Sequence, residues 1–246
     1  MEHWRGISYF PVLLRASAGG WRLGRRALGV KVRAANVDVE RVVLVPILAI
    51  LLALSVLRLL SPVEHANGRL VSVLLAVYQV LLVAFYLLTV VLLLSRSPAK
   101  AKSQGLLPRV AAYAGSFAPF LLAFFDPSPA ATTMIVIAVL IQAGGLAFTV
   151  HALATLSRSF GVAPQVRTLV RTGPFRYIRH PLYVGELVSL AGAVLVGPTW
   201  LRWAVFLLTA GLQVVRAGFE ERLLAEHLPE YAAYAAGTKR FIPKVY

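Results

Sequence analysis

The sequence predicts an all-α, polytopic integral membrane protein with about six transmembrane helices and a cytoplasmic C-terminal helical segment. Three observations carry that expectation. Hydrophobic residues make up 59% of the 246 positions, and mean hydropathy is +0.74, which leaves too little polar surface for a soluble domain of this length. The apolar residues fall in long runs that reach or approach the roughly 20 needed to cross a bilayer. Leu and Val dominate those runs without period-2 alternation, which predicts helices and not barrel strands.

Six segments follow, at 42–60, 70–95, 107–125, 131–156, 182–197 and 199–217. The fifth is short and starts after Pro181. The sixth follows it across only "GPT", so the two form a tight hairpin. Residues 1–40 interleave Trp4, Tyr9, Phe10 and Trp21 with arginines, as suits an interfacial segment lying on the membrane surface. The chain therefore divides into a basic N-terminal segment (1–40), N-terminal membrane helices (41–130) and a core with the chemistry (131–246). The first residues carry no tripartite leader pattern and are expected to be retained.

Charge sets the topology. There are 25 Lys and Arg against 10 Asp and Glu, a formal net charge of +15. Residues 1–41 hold eight of the cations, 96–109 four, 157–181 five and 218–246 four, whereas 61–69 and 126–130 hold only Arg69. Both termini and the loop before Pro181 are thus expected on the cytoplasmic side, in a bacterial inner membrane. The excess reads as positive-inside signature and lipid-headgroup attraction, not as a nucleic-acid surface. With no cysteine, disulfides, thiolate metal sites and Cys nucleophiles are excluded.

The candidate chemistry lies beyond residue 150. In "GPFRYIRHPLYVGE" (173–186), Pro181 opens a helix, where its missing N–H costs nothing. The free N–H groups of that first turn favour an anion. Arg179 and His180 stand beside them, and Arg179 can grip a carboxylate or phosphate with both arms. Tyr183 follows one turn on, and Gly185 allows close approach of a helix or ligand. Glu186 is an acid just inside a span, which is costly unless paired or functional. "FEERLLAEHLPEYAAY" (219–234) adds Glu220 and Glu221, then Tyr231 and Tyr234, and "TKRFIPKVY" returns Arg240 to the membrane surface. A cationic loop and an acidic helix at one face suit a zwitterionic ligand. Arg158, Arg167 and Arg171 read as headgroup anchors, Gln142 and His151 as helix-packing polar groups, and "QAGG" (142–145) as a packing glycine pair. No G-x-G-x-x-G, P-loop or H-E-x-x-H is present, so nucleotide binding through a soluble fold is not expected, and no metal site is expected either.

"LVRTGPFRYIRHPLYVG" (169–185), "EERLL" (220–224) and "YAAYAAGTKRFIP" (231–243), preceded by "LATLSRSFG" (153–161), resemble the integral membrane methyltransferases typified by isoprenylcysteine carboxyl methyltransferase, a pattern shared with the phospholipid methyltransferases. The resemblance covers residues 131–246. It implies S-adenosyl-L-methionine as donor in a cytoplasmic pocket, with His180, Pro181, Tyr183 and Gly185 on the donor side and Glu220 or Glu221 at its ribose or amino group. It implies a lipophilic or prenylated acceptor arriving from the membrane lipids. Arg179 and Arg240 would border donor and acceptor, and Glu186 would serve as base if the acceptor is an amine. The tail departs from the eukaryotic carboxyl methyltransferases in placing Gly237 where an arginine is expected, with Arg240 three residues later. Two other classes stand beside this one: a membrane sterol-reductase-like enzyme using NADPH, which shares the R-H-P-x-Y element, and a non-enzymatic scaffold. Oligomeric state is not legible.

Overall fold

The computed structural model describes residues 38–61, 68–103 and 105–243. The basic segment expected over 1–40 lies outside the described residues except for its last three positions. Each of the six predicted apolar segments is helical. They form α1 (Val39–Leu60), α2 (Arg69–Ser95), α3 (Leu106–Phe117, continued by a 3₁₀ stretch Ala118–Phe124), α4 (Thr132–Leu156), α5 (Pro181–Leu195) and α6 (Trp200–His227). A short α7 (Tyr231–Gly237) follows.

Among the described residues, four helices are long and apolar enough to cross a membrane: Glu40–Leu60, Arg69–Ser95, Leu106–Phe124 and Thr132–Ser159. The expected count of six is therefore met only in part. Helix α5 has 15 residues, about 22 Å at 1.5 Å per residue, short of a hydrocarbon core of about 30 Å. Helix α6 has 28 residues, ample length, but it carries Arg202, Arg216, Glu220, Glu221 and Arg222. It also runs unbroken past residue 217. The acidic stretch, expected as a helical segment after the sixth span, is the continuation of α6, because nothing between 200 and 227 interrupts the helical repeat.

Helix α5 is held by a glycine seam against α4. A Cβ on Gly145 would lie 2.8 Å from the Gly185 carbonyl oxygen, and one on Gly192 2.5 Å from the Gln142 nitrogen. Backbone thus meets backbone, as in membrane helix pairs joined by small residues. Thr149, in the same seam, donates to the Gly145 carbonyl at 2.9 Å. Of the "QAGG" pair, Gly145 packs on α5, whereas nothing lies within 4 Å of a Cβ on Gly144. Helix α2 packs on α4 and α3 on α6. One core joins Leu44, Leu92 and Leu93 of the N-terminal helices to Leu153, Phe160, Tyr183 and Ala217, so residues 41–130 and 131–246 share an interior.

The basic loops gather at one end of the helices. Ser97 N–H donates to the Arg158 carbonyl at 3.0 Å, and Lys100 N–H to the Val166 carbonyl at 2.7 Å. Two short antiparallel strands, β1 (Ala101–Lys102) and β2 (Gln165–Val166), pair there with Ala101 opposite Val166. The sequence reading treats 97–105 as plain loop; two-residue strands are below what periodicity can detect. At this end Arg96, 3% exposed, pairs with Asp38 at 2.5 Å and with Glu40. The second oxygen of Glu40 accepts the Ala163 N–H at 2.7 Å. At the opposite end Arg202 is buried, donating to the Phe125 carbonyl at 3.0 Å and the Ala193 carbonyl at 2.9 Å. It satisfies carbonyls at the C-terminal turn of α5 and after the 3₁₀ stretch that would otherwise lack partners.

The seam yields a contrast. Gly192→Ala must displace α4 backbone, and overpacking of this kind costs about 1–3 kcal/mol. Gly144→Ala meets nothing and gains helix propensity. Thermal unfolding in detergent should show a lower midpoint for the first and an equal or higher midpoint for the second. Equal midpoints for wild type and Gly192→Ala would mean the seam is not closed.

Candidate functional site

The site is assembled where the start of α5, the C-terminal half of α6 and the chain after α7 meet. Arg179 N–H donates to the Lys239 carbonyl at 2.7 Å, and His180 N–H to the Arg240 carbonyl at 3.2 Å. Ile178 and Lys239 form a parallel bridge. This backbone pairing lashes the tail to the residues before Pro181. It brings Arg179, His180 and Arg240 together around one carboxylate.

That carboxylate is Glu221. It accepts from His180 Nε2 at 2.9 Å and from Arg240 at 3.0 and 2.5 Å, with Arg179 Nη1 3.3 Å away. Burial alone would raise its pKa. The hydrogen bonds from His180 and Arg240, with the charges of His180 and Arg179, outweigh burial and bring it to about 2. An ionised carboxylate only accepts, so the geometry assigns the His180 proton to Nε2.

Glu220, one position earlier, turns to the other side. It accepts a short hydrogen bond from the Tyr183 hydroxyl and a second from Arg216 Nε at 3.2 Å. The Tyr183 ring is stacked between two partners. His180 lies 5.2 Å away and nearly parallel, and the Arg216 guanidinium sits 4.6 Å over the ring. Arg216 also donates to Ser116 Oγ at 3.0 Å and to the Val162 carbonyl at 2.8 Å. One turn back along α6, Gln213 Nε2 donates to Glu186 at 2.7 Å. The α5 and α6 faces thus carry a continuous polar ladder, from Glu221 and His180 through Tyr183, Glu220 and Arg216 to Glu186 and Gln213.

Two cavities flank the ladder. A polar one of about 130 Å³ includes Arg167, Arg179, His180, Tyr183, Glu220, Tyr231 and Tyr234 in its lining. A larger one of about 310 Å³ is lined by residues of all six long helices and walled mainly by Leu and aromatic side chains, with Glu186, Gln213 and Arg216 among its polar groups. Leu182 and Arg216 line both.

The structure brings most of the sequence-derived candidates together. Arg179, His180, Tyr183 and Glu220 face the polar cavity, Glu221 gathers the cations behind it, and Arg240 is paired to Glu221. Pro181 is fully buried as the first residue of α5. Gly185 lies in the α4 seam, and Glu186 faces the apolar cavity. Tyr231 and Tyr234 are buried wall residues; Tyr234 donates to the Phe175 carbonyl at 2.7 Å. Burial pushes both phenols up to about 12. Arg167, read as a headgroup anchor, is 5% exposed and donates to the Ser97 carbonyl at 2.7 Å. Arg158 and Arg171 likewise tie loops together, to the Ser95 and Glu230 carbonyls. His151 is exposed, whereas Gln142 lines the apolar cavity.

Arg216 and Gln213 are absent from the sequence-derived set. The rule that flagged Glu186, that a polar group inside a span must be paired or functional, applies to both. Both stand in α6, outside the R-H-P-x-Y element.

Residues 126–230 match the phospholipid methyltransferase family, in agreement with the membrane methyltransferase resemblance read from the motifs. The match covers α4 to α6 and ends before α7. The chain is 38% identical over 81 residues to the cobalt-zinc-cadmium resistance protein CzcN of Cupriavidus metallidurans, covering 32% of this chain. It is 35% identical over 80 residues to the nickel-cobalt-cadmium resistance protein NccN of Alcaligenes xylosoxydans xylosoxydans, covering 31% of this chain. It spans 37% of the length of each relative.

The lowered pKa of Glu221 has a consequence for stability. Its ion pairs are fully present above the ordinary carboxylate value of 4.5 and are lost as pH falls from there toward about 2. The difference in unfolding midpoint between wild type and Glu221→Gln should therefore be constant from pH 8 to about 5 and shrink below 4.5. A difference that does not change down to pH 3 would remove the depressed titration.

Proposed function

We propose that this chain, whose residues 126–230 match the phospholipid methyltransferase family, is an integral membrane methyltransferase that uses S-adenosyl-L-methionine and a lipophilic acceptor. The observation that carries the reading is the pair of cavities, one polar and one apolar, meeting at Leu182 and Arg216. A water-soluble donor and a lipid need that pairing, and neither cavity alone explains the other.

The polar cavity suits a zwitterion. Arg167 Nη1, Arg179 Nε and the Tyr231 hydroxyl, all on residues that line it, have no hydrogen-bond partner of good geometry among the described residues. Arg179 would hold the donor's carboxylate, and Glu220 its amino group or ribose. His180 and Tyr183 would supply the aromatic wall. The donor brings a methyl group already activated on a sulfonium, so the chain's task is alignment and exclusion of water more than acid–base chemistry. Tyr183, held by Glu220, His180 and Arg216 together, is the rigid surface against which that alignment is made. The acceptor's polar end would reach Arg216 from the apolar cavity, with its tail among the side chains of α1, α2 and α3. Arg240, fixed by Glu221, would act by holding His180 and Arg179 in place.

Calorimetry on the purified protein tests the donor. S-adenosyl-L-methionine and its demethylated product should both bind, and NADPH should not. Glu220→Gln and Arg179→Lys should each weaken donor binding about ten- to a hundredfold, the value of one charge-assisted contact of about 1.5–3 kcal/mol. Lysine lacks the planar fork and should not substitute for arginine. Heat with NADPH alone would replace this reading with the reductase.

We further propose that the basic end faces the cytoplasm with both termini, since the clustered Lys and Arg follow the positive-inside rule. Reporter fusions after residues 66 and 246 should give opposite signals, and equal signals would overturn this topology.

A further inference from the structure

One arginine of the polar cavity has no acid to answer its charge. Arg167 follows β2 and is 5% exposed. Its Nε donates to the Ser97 carbonyl at 2.7 Å, and its Nη2 to the Gln165 amide oxygen at 2.6 Å. Both acceptors are neutral. Nη1 is enclosed and has no hydrogen-bond partner among the described residues. A Cβ on Gly161 would lie 2.7 Å from Nη1, so the wall carries a glycine where the guanidinium needs room. Arg167 and Gly161 both line the polar cavity. Among the described residues Arg41, Arg179 and Arg202 also hold an unpartnered buried nitrogen. Arg41 and Arg179 have ion pairs, with Asp38 and Glu221, and Arg202 lines neither cavity. Arg167 lines the cavity and forms no ion pair among the described residues.

An arginine does not shed its proton to escape burial, and a buried charge is costly until it is paired. Burial and the charge of Arg96 work against the ionised guanidinium, and Glu40 and Asp38 offset them only in part. The counter-charge is then one that a ligand brings. On the donor assigned above, the one anionic group is the carboxylate of the amino-acid end. We infer that Arg167 is a second holder of that carboxylate beside Arg179, and that it sets the cavity's preference for a donor whose amino-acid end is intact. This rests on the reading above that the polar cavity receives S-adenosyl-L-methionine. Arg179 lies against Glu221, so part of its charge is already answered; Arg167 has no such competitor. Its guanidinium is also fixed before any ligand arrives, because Ser97 and Gln165 hold two of its nitrogens. A donor fixed in place loses little freedom on meeting its partner. Ser97 lies outside the segment that matches the family, so part of this carboxylate site is set by the N-terminal helices.

Two ligands that differ by one group decide it: S-adenosyl-L-homocysteine, the demethylated product, and S-adenosyl-3-thiopropylamine, the same molecule without its carboxylate. Calorimetry on the purified full-length protein in detergent at neutral pH reads both affinities. Wild type should bind the carboxylated ligand at least about tenfold more tightly, the value of one charge-assisted contact. Arg167→Gln and Arg167→Met, which remove the charge, should each weaken that ligand about tenfold and leave the decarboxylated one within about twofold of wild type. Unchanged binding of the decarboxylated ligand shows that the pocket is intact in the variant. Weakening of both ligands alike, or loss of the fold in both variants, would make Arg167 a structural residue and overturn the proposal. A wild type without preference between the two ligands would overturn it with no variant needed. A wild-type preference that survives both substitutions removes Arg167 and leaves the donor reading standing, whereas a wild type that binds neither ligand removes both.

Discussion

The candidate site depends on the carboxylate of Glu221. Three cationic or hydrogen-bonding groups from two separate parts of the chain converge on it. Arg179 and His180 come from the residues before α5, and Arg240 from beyond α7. Truncating Glu221 would leave Arg179 and Arg240 in mutual repulsion with little water to screen them, and His180 Nε2 without its acceptor. The backbone pairing of 178–180 with 239–240 and the carboxylate are thus two halves of one closure, the first setting position and the second making the charges tolerable.

From that closure the electrostatics run in opposite senses along α6. Around Glu221 the cations outnumber the acid, and the polar cavity inherits a positive wall. Around Arg216 two acids, Glu186 and Glu220, flank one cation, and Arg216 and Glu186 both reach the apolar cavity. Tyr183 stands at the crossing, its ring under Arg216 and its hydroxyl on Glu220. Adjacent residues of one helix, Glu220 and Glu221, point to these different sides because about 100° separates neighbours on a helix. A single acid at either position could not serve both.

Much of this was legible in the sequence, and the limits have physical causes. The apolar runs located the helices to within a few residues, since burial in lipid or core demands the same composition. The same logic does not separate spanning from sealing: α5, of 15 residues, is also closed onto α4 through Gly145, Gly185 and Gly192. The motif residues Arg179, His180, Tyr183 and Glu220 were legible as a cluster because they stand at fixed short spacings. The roles of Arg216 and Gln213 were not, because each has partners far along the chain, Ser116 100 residues and Glu186 27 residues away. Tyr231 and Arg167 were ambiguous for the same reason, as an aromatic or an arginine near a membrane surface reads alike whether it meets lipid or a pocket.

The link from Arg96 through Glu40 to the Ala163 N–H carries a consequence for how the molecule can be divided. Ala163, with Gly161 and Gln165, is wall of the polar cavity, yet its backbone is pinned by a residue at the very start of α1. The segment recognisable by family, 126–230, is therefore not a unit that stands by itself. A shortened protein beginning at α4 would keep every motif and lose the strut behind one side of its pocket. The helices that look least informative in the sequence are scaffolding for the part that looks most informative, and the edge of detectable ancestry falls inside a single mechanical object.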